Sequence, residues 1–293
     1  MKLKEVLDKT TQFFKDKKME SARLEAELLL AHALKIQRIQ IYLKYDQPLS
    51  DEELAACRDL VRRRTQGEPV AYIFGSKEFY GYPFKVSPAI LIPRPETEHI
   101  VEAALEWADG PDEKFTIVDL GTGSGCIGLT LLKKLVNSQL IAVDLSAKAL
   151  DVAKENAHAL GVADRVRFVN ADAANADAVM AEVKAFTGAE KIQILVSNPP
   201  YIGKHDNDIE ENVKKFEPEM ALFAEQDGLA LLQTWSRNYA PFLSDDAIML
   251  MEMGMTQGPA MKSHFQNLGV FQSVDVLKDL ARLDRVIRGV KNG

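Results

Sequence analysis

Apolar residues keep helical spacing over the N-terminal part of the chain. Leu3, Val6, Leu7 and Phe14 fall on one face, and Leu24, Leu28, Ala31 and Leu34 do so again behind the candidate cap Ser21. A third helix is predicted from Ser50-Asp-Glu-Glu, where Ser50 and Glu53 have capping-box spacing, to Gly67. The pattern then changes: Pro69 to Pro95 is rich in aromatic and β-branched residues, punctuated by Gly75, Gly81, Pro83 and Pro88, and reads as a strand pair. From Glu96 to Trp107 an amphipathic helix is predicted. After it, short apolar runs at Thr116–Leu120, Leu140–Leu145, Val166–Asn170 and Ile192–Ser197 have buried-strand character, with helical patterns at Ile127–Val136 and Ser146–Leu160 between the first three. This alternation predicts an α/β fold with a parallel sheet covered on both faces. Ala247–Glu252, Val270–Val276 and Asp284–Arg288 follow one another without a long helix between them and predict an antiparallel edge. The organisation expected is a helical domain over 1–68, a hairpin linker over 69–95 and an α/β domain over 96–293.

Composition narrows the functional classes. The chain has 293 residues, 46% hydrophobic and 27% charged, as ordinary globular proteins do. Its 36 basic and 43 acidic residues give a net charge of −7, the wrong sign for broad binding to nucleic-acid phosphates. Two distant cysteines, Cys57 and Cys126, make neither a disulfide framework nor a metal-ligand set. The charged start lacks the apolar core of a signal peptide, and no run approaches the roughly 18 apolar residues of a membrane span. A cytoplasmic location is expected, with no membrane or stable nucleic-acid partner.

The first chemical motif is Ile117-Val-Asp-Leu-Gly-Thr-Gly-Ser-Gly-Cys-Ile-Gly128. Its alternating glycines let the chain turn tightly from strand to helix and let a ligand approach the main chain. Residues 123–128 also satisfy the dinucleotide fingerprint, so the glycines alone do not choose a ligand. Asp144 ends the next strand, nineteen residues after Gly125, where a carboxylate can accept from ribose hydroxyls. Asp119 separates the two cofactor classes. Its charge opposes a nearby pyrophosphate but suits the ammonium group of S-adenosylmethionine, which has no phosphate. Asp172, just past the third strand, is either placed at the adenine edge or a solvated turn residue.

The second motif, Asn198-Pro-Pro-Tyr201, follows the fourth strand, at the sheet end where open α/β folds bind ligands. Proline has no N–H, and a residue before proline is held extended, so the turn is stiff and rich in acceptors. The Asn198 side-chain oxygen and the Pro199 carbonyl can receive the two hydrogens of a planar NH₂ group, and Tyr201 can stack on its flat face. The substrate expected is an amino group on an sp² carbon: an amide, or the exocyclic amine of adenine or cytosine. Such a nitrogen needs alignment with a methyl sulfonium rather than removal of a proton before attack.

With these motifs the sequence resembles the release-factor glutamine methyltransferases. Besides Asp-Leu-Gly-Thr-Gly-Ser-Gly and Val-Ser-Asn-Pro-Pro-Tyr-Ile, the segments Glu68-Pro-Val-Ala-Tyr-Ile-Phe-Gly75, Leu91-Ile-Pro-Arg-Pro-Glu-Thr-Glu98 and Phe216-Glu-Pro218 are similar to that family's. The resemblance implies a Rossmann-like, seven-stranded class I S-adenosylmethionine-dependent methyltransferase domain, with a helical N-terminal domain for substrate recognition. It implies methylation of the glutamine amide in the Gly-Gly-Gln motif of class I peptide chain release factors. It further implies that Gly121, Thr122, Gly123, Ser124 and Gly125 hold the donor, Asp144 its ribose, and Asp172 and Ala173 its adenine. Asn198 would border donor and substrate, with Pro199, Pro200 and Tyr201 completing the catalytic amide site. Arg94 matches an arginine near the cleft and is otherwise a surface charge leading a helix. Two positions depart from the family pattern. Ala173 stands where some members carry an aromatic residue over the adenine, and Lys215 stands where an arginine often precedes Phe-Glu-Pro. The main rival is an adenine-N6 methyltransferase of DNA or RNA. The acidic charge and the lack of a separate target-recognition domain weigh against it.

Overall fold

In the computed structural model, which describes residues 1–110, 113–203 and 211–292, the chain divides between Gly75 and Ser76. The first unit holds α1 (Leu3–Asp16), α2 (Ala22–Ala33), α3 (Arg38–Leu43), α4 (Asp51–Thr65) and α5 (Val70–Phe74). Leu3, Leu7 and Phe14 pack with Ala26, Leu29 and Leu30 in one apolar cluster. The capping box forms as its spacing predicts: Ser50 Oγ accepts from the Glu53 N–H at 3.2 Å, and the Glu53 carboxylate accepts from the Ser50 N–H at 2.8 Å. Ser21 precedes α2, but its side chain makes no capping bond. The six-residue α3 buries only Ile41, which leaves no periodic signal to read. Segment 69–95 is shared between the units. Val70–Phe74 buries Tyr72 and Ile73 as a helical turn closed by Gly75 at φ 68°, and the strand pair opens the second unit.

That pair is β1 (Ser76–Phe79) and β2 (Tyr82–Lys85), which face each other antiparallel and seat Phe79 and Phe84 edge to face at 6.0 Å in the core. The second unit continues with α6 (Glu98–Ala108), β3 (Thr116–Leu120), α7 (Cys126–Lys134), β4 (Gln139–Asp144), α8 (Ala147–Leu160), β5 (Val166–Asn170), α9 (Ala176–Thr187) and β6 (Ile192–Ser197). Then come β7 (Ile202–Gly203), α10 (Glu211–Phe216), β8 (Phe223–Ala224), α11 (Leu229–Tyr239), β9 (Leu243–Glu252), α12 (Gly258–Asn267), β10 (Ser273–Lys278) and β11 (Asp284–Lys291). Seven strands form one sheet in the order β10-β11-β9-β6-β3-β4-β5, and β7 pairs with β8 beside it. The five strands from β9 to β5 run parallel, while β11 and β10 form the antiparallel edge that the sequence predicts. β9 starts at Leu243 rather than Ala247, because its first half carries Asp245 and Asp246 and breaks the apolar run.

Residues alternate strictly between the two faces of the parallel strands. Ile117, Leu140, Ala142, Ile194, Val196, Ile248 and Leu250 join the core beneath α6, α7 and α8. Val118, Ile141, Val143, Leu195, Met249 and Met251 join the core with residues of α9, α11 and α12. By the same parity Asp119, Asp144 and Glu252, near or at the ends of β3, β4 and β9, all belong to the first face.

Asn156 of α8 ties the strand pair to the loop after β3. Its side chain accepts from the Lys85 N–H at 2.7 Å and donates to the carbonyls of Lys85 at 3.1 Å and Ser124 at 2.9 Å. Asn156→Ala strands these polar groups in the interior. It is expected to lower the unfolding free energy by about 1–3 kcal/mol in urea titrations, and an unchanged midpoint would contradict this account.

Candidate functional site

The turn after β3 is shaped by Gly121, Gly123 and Gly125, with φ of +70°, +56° and +81°. L-residues with a side chain rarely adopt such angles, and a Cβ on Gly121 would in addition lie 3.4 Å from the Trp235 ring. The loop is fixed to the sheet by the Thr122 N–H donating to the Val143 carbonyl at 2.9 Å. Asp144 supports it from the next strand. One carboxylate oxygen accepts from the Gly123 N–H at 2.9 Å and the other from the Ser146 N–H at 2.8 Å. Ser146 in turn caps α8 through its hydroxyl, which accepts from the Ala149 N–H at 3.2 Å. Burial raises the Asp144 pKa above the ordinary value, partly offset by these two N–H donors.

These elements enclose a cavity of about 310 Å³ at the carboxyl ends of β3, β4 and β6. Gly121, Thr122, Gly123, Ser124, Asp144, Asp172, Ala173, Asn198 and Pro200 line it, so most of the residues expected from sequence converge there, whereas Gly125 and Pro199 do not line it. Ile90, Leu91, Thr97, Leu145, Pro218, Met220 and Trp235 complete its walls. Leu145, beside Asp144, is 62% exposed and offers an apolar face where Ala173 is small.

Asp119 lies elsewhere. It is fully buried under the loop, where one oxygen accepts from the Thr122 hydroxyl at 2.7 Å and from the Gly128 N–H at 3.2 Å. Its other oxygen has no hydrogen-bond partner among the described residues. Desolvation, aggravated by the nearby Asp144 charge, pushes its pKa from 3.8 to about 6 against those two donors. Cys126 lines the cavity, but burial pushes its thiol up to about 12 and keeps it neutral.

The Asn198 turn is braced from behind. The Asn198 amide donates to Thr97 Oγ1 at 3.2 Å, and the Thr97 hydroxyl donates to Glu252 at 2.6 Å. The Tyr201 hydroxyl donates to the other oxygen of Glu252 at 2.9 Å. Tyr201 is thus held by its hydroxyl outside the cavity wall. Its carbonyl accepts from the Gln257 amide at 2.9 Å and passes so close to Gly228 (φ +85°) that a Cβ there would come within 1.9 Å. Burial raises the pKa of both Glu252 and Tyr201, so the phenol stays a hydrogen donor.

Arg94 does not line the cavity. Its guanidinium pairs at 2.5 Å with Glu217, whose second oxygen accepts from the Ile92 N–H at 3.1 Å. The pair ties segment 91–98 to Phe216-Glu-Pro218, which accounts for two motifs far apart in sequence. Thr97 sits inside a segment already singled out, yet nothing in the sequence says that its hydroxyl meets Glu252. A charged residue closing the apolar strand β9 is the signal that could have found Glu252. Trp235 offers no such signal, since only packing brings it against Gly121.

A seven-stranded sheet wound to both sides of β3, with a glycine loop at its carboxyl end, a carboxylate ending the next strand and the antiparallel β11 and β10 at one edge, is the fold of an S-adenosylmethionine-dependent methyltransferase. The chain matches the family models described as PrmC N-terminal domain over residues 5–75 and Methyltransferase small domain over residues 105–220. Release factor glutamine methyltransferases of Chlorobaculum tepidum and Rhodopirellula baltica are 41% and 36% identical to it, each alignment covering 96% of this chain and 94% of the relative. The chain belongs to the release factor glutamine methyltransferase family. A solved structure of the hMettl16 catalytic domain in complex with MAT2A 3′UTR hairpin 1 shares the fold, with a TM-score of 0.56 at 14% identity over 82% of this chain and 80% of that one.

The residues present fit the donor. The glycine backbone leaves room for close approach, Asp144 retains acceptor capacity beyond its two N–H donors, and Asp119 places an uncompensated carboxylate oxygen under the loop, suited to a cation. The raised Asp119 pKa has a sign opposite to the usual carboxylate. The folded state favours the protonated form, so stability from this group is present at low pH and is lost as pH rises from 3.8 to about 6. Relative to the parent, Asp119→Asn should therefore gain up to about 3 kcal/mol of unfolding free energy between pH 4 and pH 7. A difference between variant and parent that does not change with pH would contradict the burial argument.

Proposed function

We propose that the chain transfers the methyl group of S-adenosylmethionine to the side-chain amide nitrogen of the glutamine in the Gly-Gly-Gln motif of class I peptide chain release factors, acting in the cytoplasm. The feature that carries this reading is the acceptor-only turn at the cavity. Pro199 and Pro200 have no N–H, and one hydrogen of the Asn198 NH₂ is given to Thr97, which turns the NH₂ that way and leaves Oδ1 on the other side to offer a substrate. Asn198 Oδ1 and the Pro199 carbonyl receive the two hydrogens of the glutamine NH₂ and hold its lone pair in one direction. A carboxamide presented oxygen first to Asn198 Oδ1 and the Pro199 carbonyl meets two acceptors and is disfavoured.

An amide nitrogen is a weak nucleophile because its lone pair is delocalised, with a C–N rotation barrier of about 18–20 kcal/mol. Two fixed acceptors on its hydrogens favour the pyramidal nitrogen that gains positive charge as the N–C bond forms and the sulfonium S–C bond breaks to leave S-adenosylhomocysteine. The nitrogen then gives up one of those hydrogens as a proton to water. When bound, S-adenosylmethionine supplies the electrophilic methyl group. Gly121 to Gly125 would hold it through the backbone, Asp144 would accept from its ribose hydroxyls, and the Asp119 carboxylate would favour its cationic end. Leu145 gives the adenine an apolar face, with Asp172 and Ala173 at its edge. Tyr201 anchors the far end of the substrate turn through Glu252, and Arg94 braces the cavity wall through Glu217. No lysine, arginine or histidine lines the cavity among the described residues, which suits a transfer that needs no base before attack.

The helical unit supplies the release-factor recognition surface. Its α3 leaves Ile39, Tyr42 and Leu43 exposed at 63%, 44% and 81% while burying Ile41. With purified release factor and labelled donor, Asn198→Ala should lower turnover by about 100-fold or more while the affinity for S-adenosylhomocysteine stays within a few-fold. Mass spectrometry should place the methyl group on the Gly-Gly-Gln glutamine. Label in RNA or DNA instead of the release factor would overturn the substrate. Replacing Ile39 and Leu43 by Asp should raise KM for whole release factor about tenfold or more and leave turnover of a short Gly-Gly-Gln peptide unchanged, since the loss is one of apolar docking. Equal losses on both substrates would rule out this surface.

A further inference from the structure

We infer that Thr97 and Glu252 are positioning residues that fix which way the Asn198 carboxamide faces, and thereby make the site read the NH₂ end of a planar amide. The inference rests on the proposed role of Asn198 and adds the device that enforces it. Glu252 is 1% exposed and receives two hydroxyl donors, Thr97 at 2.6 Å on one oxygen and Tyr201 at 2.9 Å on the other. With a hydroxyl donated to each of its oxygens, Glu252 is the acceptor in both bonds and sets their direction. Thr97 has a single hydroxyl proton, and Glu252 takes it. Toward Asn198, 3.2 Å away, Thr97 Oγ1 can then only accept. The group that Asn198 turns to Thr97 must be its NH₂, and Oδ1 is left for a ligand. The two orientations of an asparagine amide have nearly the same shape, and the surrounding hydrogen bonds decide between them. Here the decision is traced to one buried carboxyl group. Arg285 partly offsets the burial of that group: it interacts with Glu252 and Tyr201 while its guanidinium pairs with Asp279 at 3.0 Å.

The consequence is directional. If Asn198 were flipped, the site would present an NH₂ donor beside the Pro199 carbonyl. A substrate carboxamide would then lie equally well with its oxygen or its nitrogen toward the reacting position. Removing the Thr97 hydroxyl frees Asn198 to adopt both orientations. Replacing Glu252 by glutamine goes further, because the new NH₂ can donate to Thr97. The Thr97 proton is then free to point at Asn198 Oδ1, and the chain of bonds reverses.

The test compares Thr97→Val, Thr97→Ser, Glu252→Gln and Asn198→Ala in steady-state methylation of whole release factor, with S-adenosylhomocysteine affinity and thermal unfolding measured on each. Thr97→Val and Glu252→Gln should lower kcat by about 10- to 100-fold, the usual consequence of a misplaced reacting group, with KM and S-adenosylhomocysteine affinity within about threefold of the parent. Thr97→Ser, which keeps the hydroxyl, should restore most of the loss. If Asn198→Ala is inactive and Thr97→Val turns over at the parent rate, the orienting role is wrong and the role of Asn198 stands. If Thr97→Ser falls as far as Thr97→Val with equal unfolding temperatures, the hydroxyl is not the determinant. Should Asn198→Ala itself turn over like the parent, the reading of the turn fails, and this inference fails with it.

Discussion

The chain builds β3, β4 and β5 outward in one direction and then returns past β3 to add β6 and β9 on the other side. Above β3 the loops must therefore part, and the cavity is the space they leave. The other features of the site follow from that reversal. The glycine loop leaves β3 toward one side, the Asn198 turn leaves β6 toward the other, and the two enclose the cavity between them. Ser197 locks their bases together, its hydroxyl donating to the Leu120 carbonyl at 2.7 Å.

Strand parity then puts three carboxylates, Asp119, Asp144 and Glu252, on the same face at this end of the sheet. Burial raises the pKa of all three, but their partners give them different work. Asp144 is on the wall and shares its oxygens with two N–H groups. Asp119 lies below the loop with one oxygen unpartnered. Glu252 stands behind the substrate turn and accepts from two hydroxyls. Such groups are costly inside a protein, and each here is offset by donors that also fix a part of the site. The Arg94–Glu217 pair does the same for the segments at the edge of the cavity.

Much of this was legible in the sequence. The β5 and β6 runs match the observed strands residue for residue, because both are apolar stretches bounded by polar turns. The glycine loop and the Asn-Pro-Pro-Tyr turn were readable because their chemistry is local: backbone angles and missing N–H groups belong to the residues themselves. What was not legible depends on contacts between distant segments. Thr97 and Glu252 are 155 positions apart, and Arg94 and Glu217 are 123 apart. Asp119 sits in β3 two residues before the first glycine, as expected, yet its burial beneath the glycines, away from the cavity wall, is a matter of packing. Tyr201 reads as a stacking ring until Glu252 is found holding its hydroxyl. Helices α9 and α12 went unassigned, as did α11, although it buries Leu232, Trp235, Ser236 and Tyr239 at helical spacing.

The central claim is that the turn at Asn198 recognises an amide by its two hydrogens. A crystal structure of the chain with S-adenosylhomocysteine and a glutamine-containing Gly-Gly-Gln peptide tests it most directly. The account requires the glutamine nitrogen to lie within hydrogen-bond distance of both Asn198 Oδ1 and the Pro199 carbonyl, with the Asn198 NH₂ still on Thr97. A glutamine oxygen facing the Asn198 NH₂, or a side chain seated away from this turn, would contradict it.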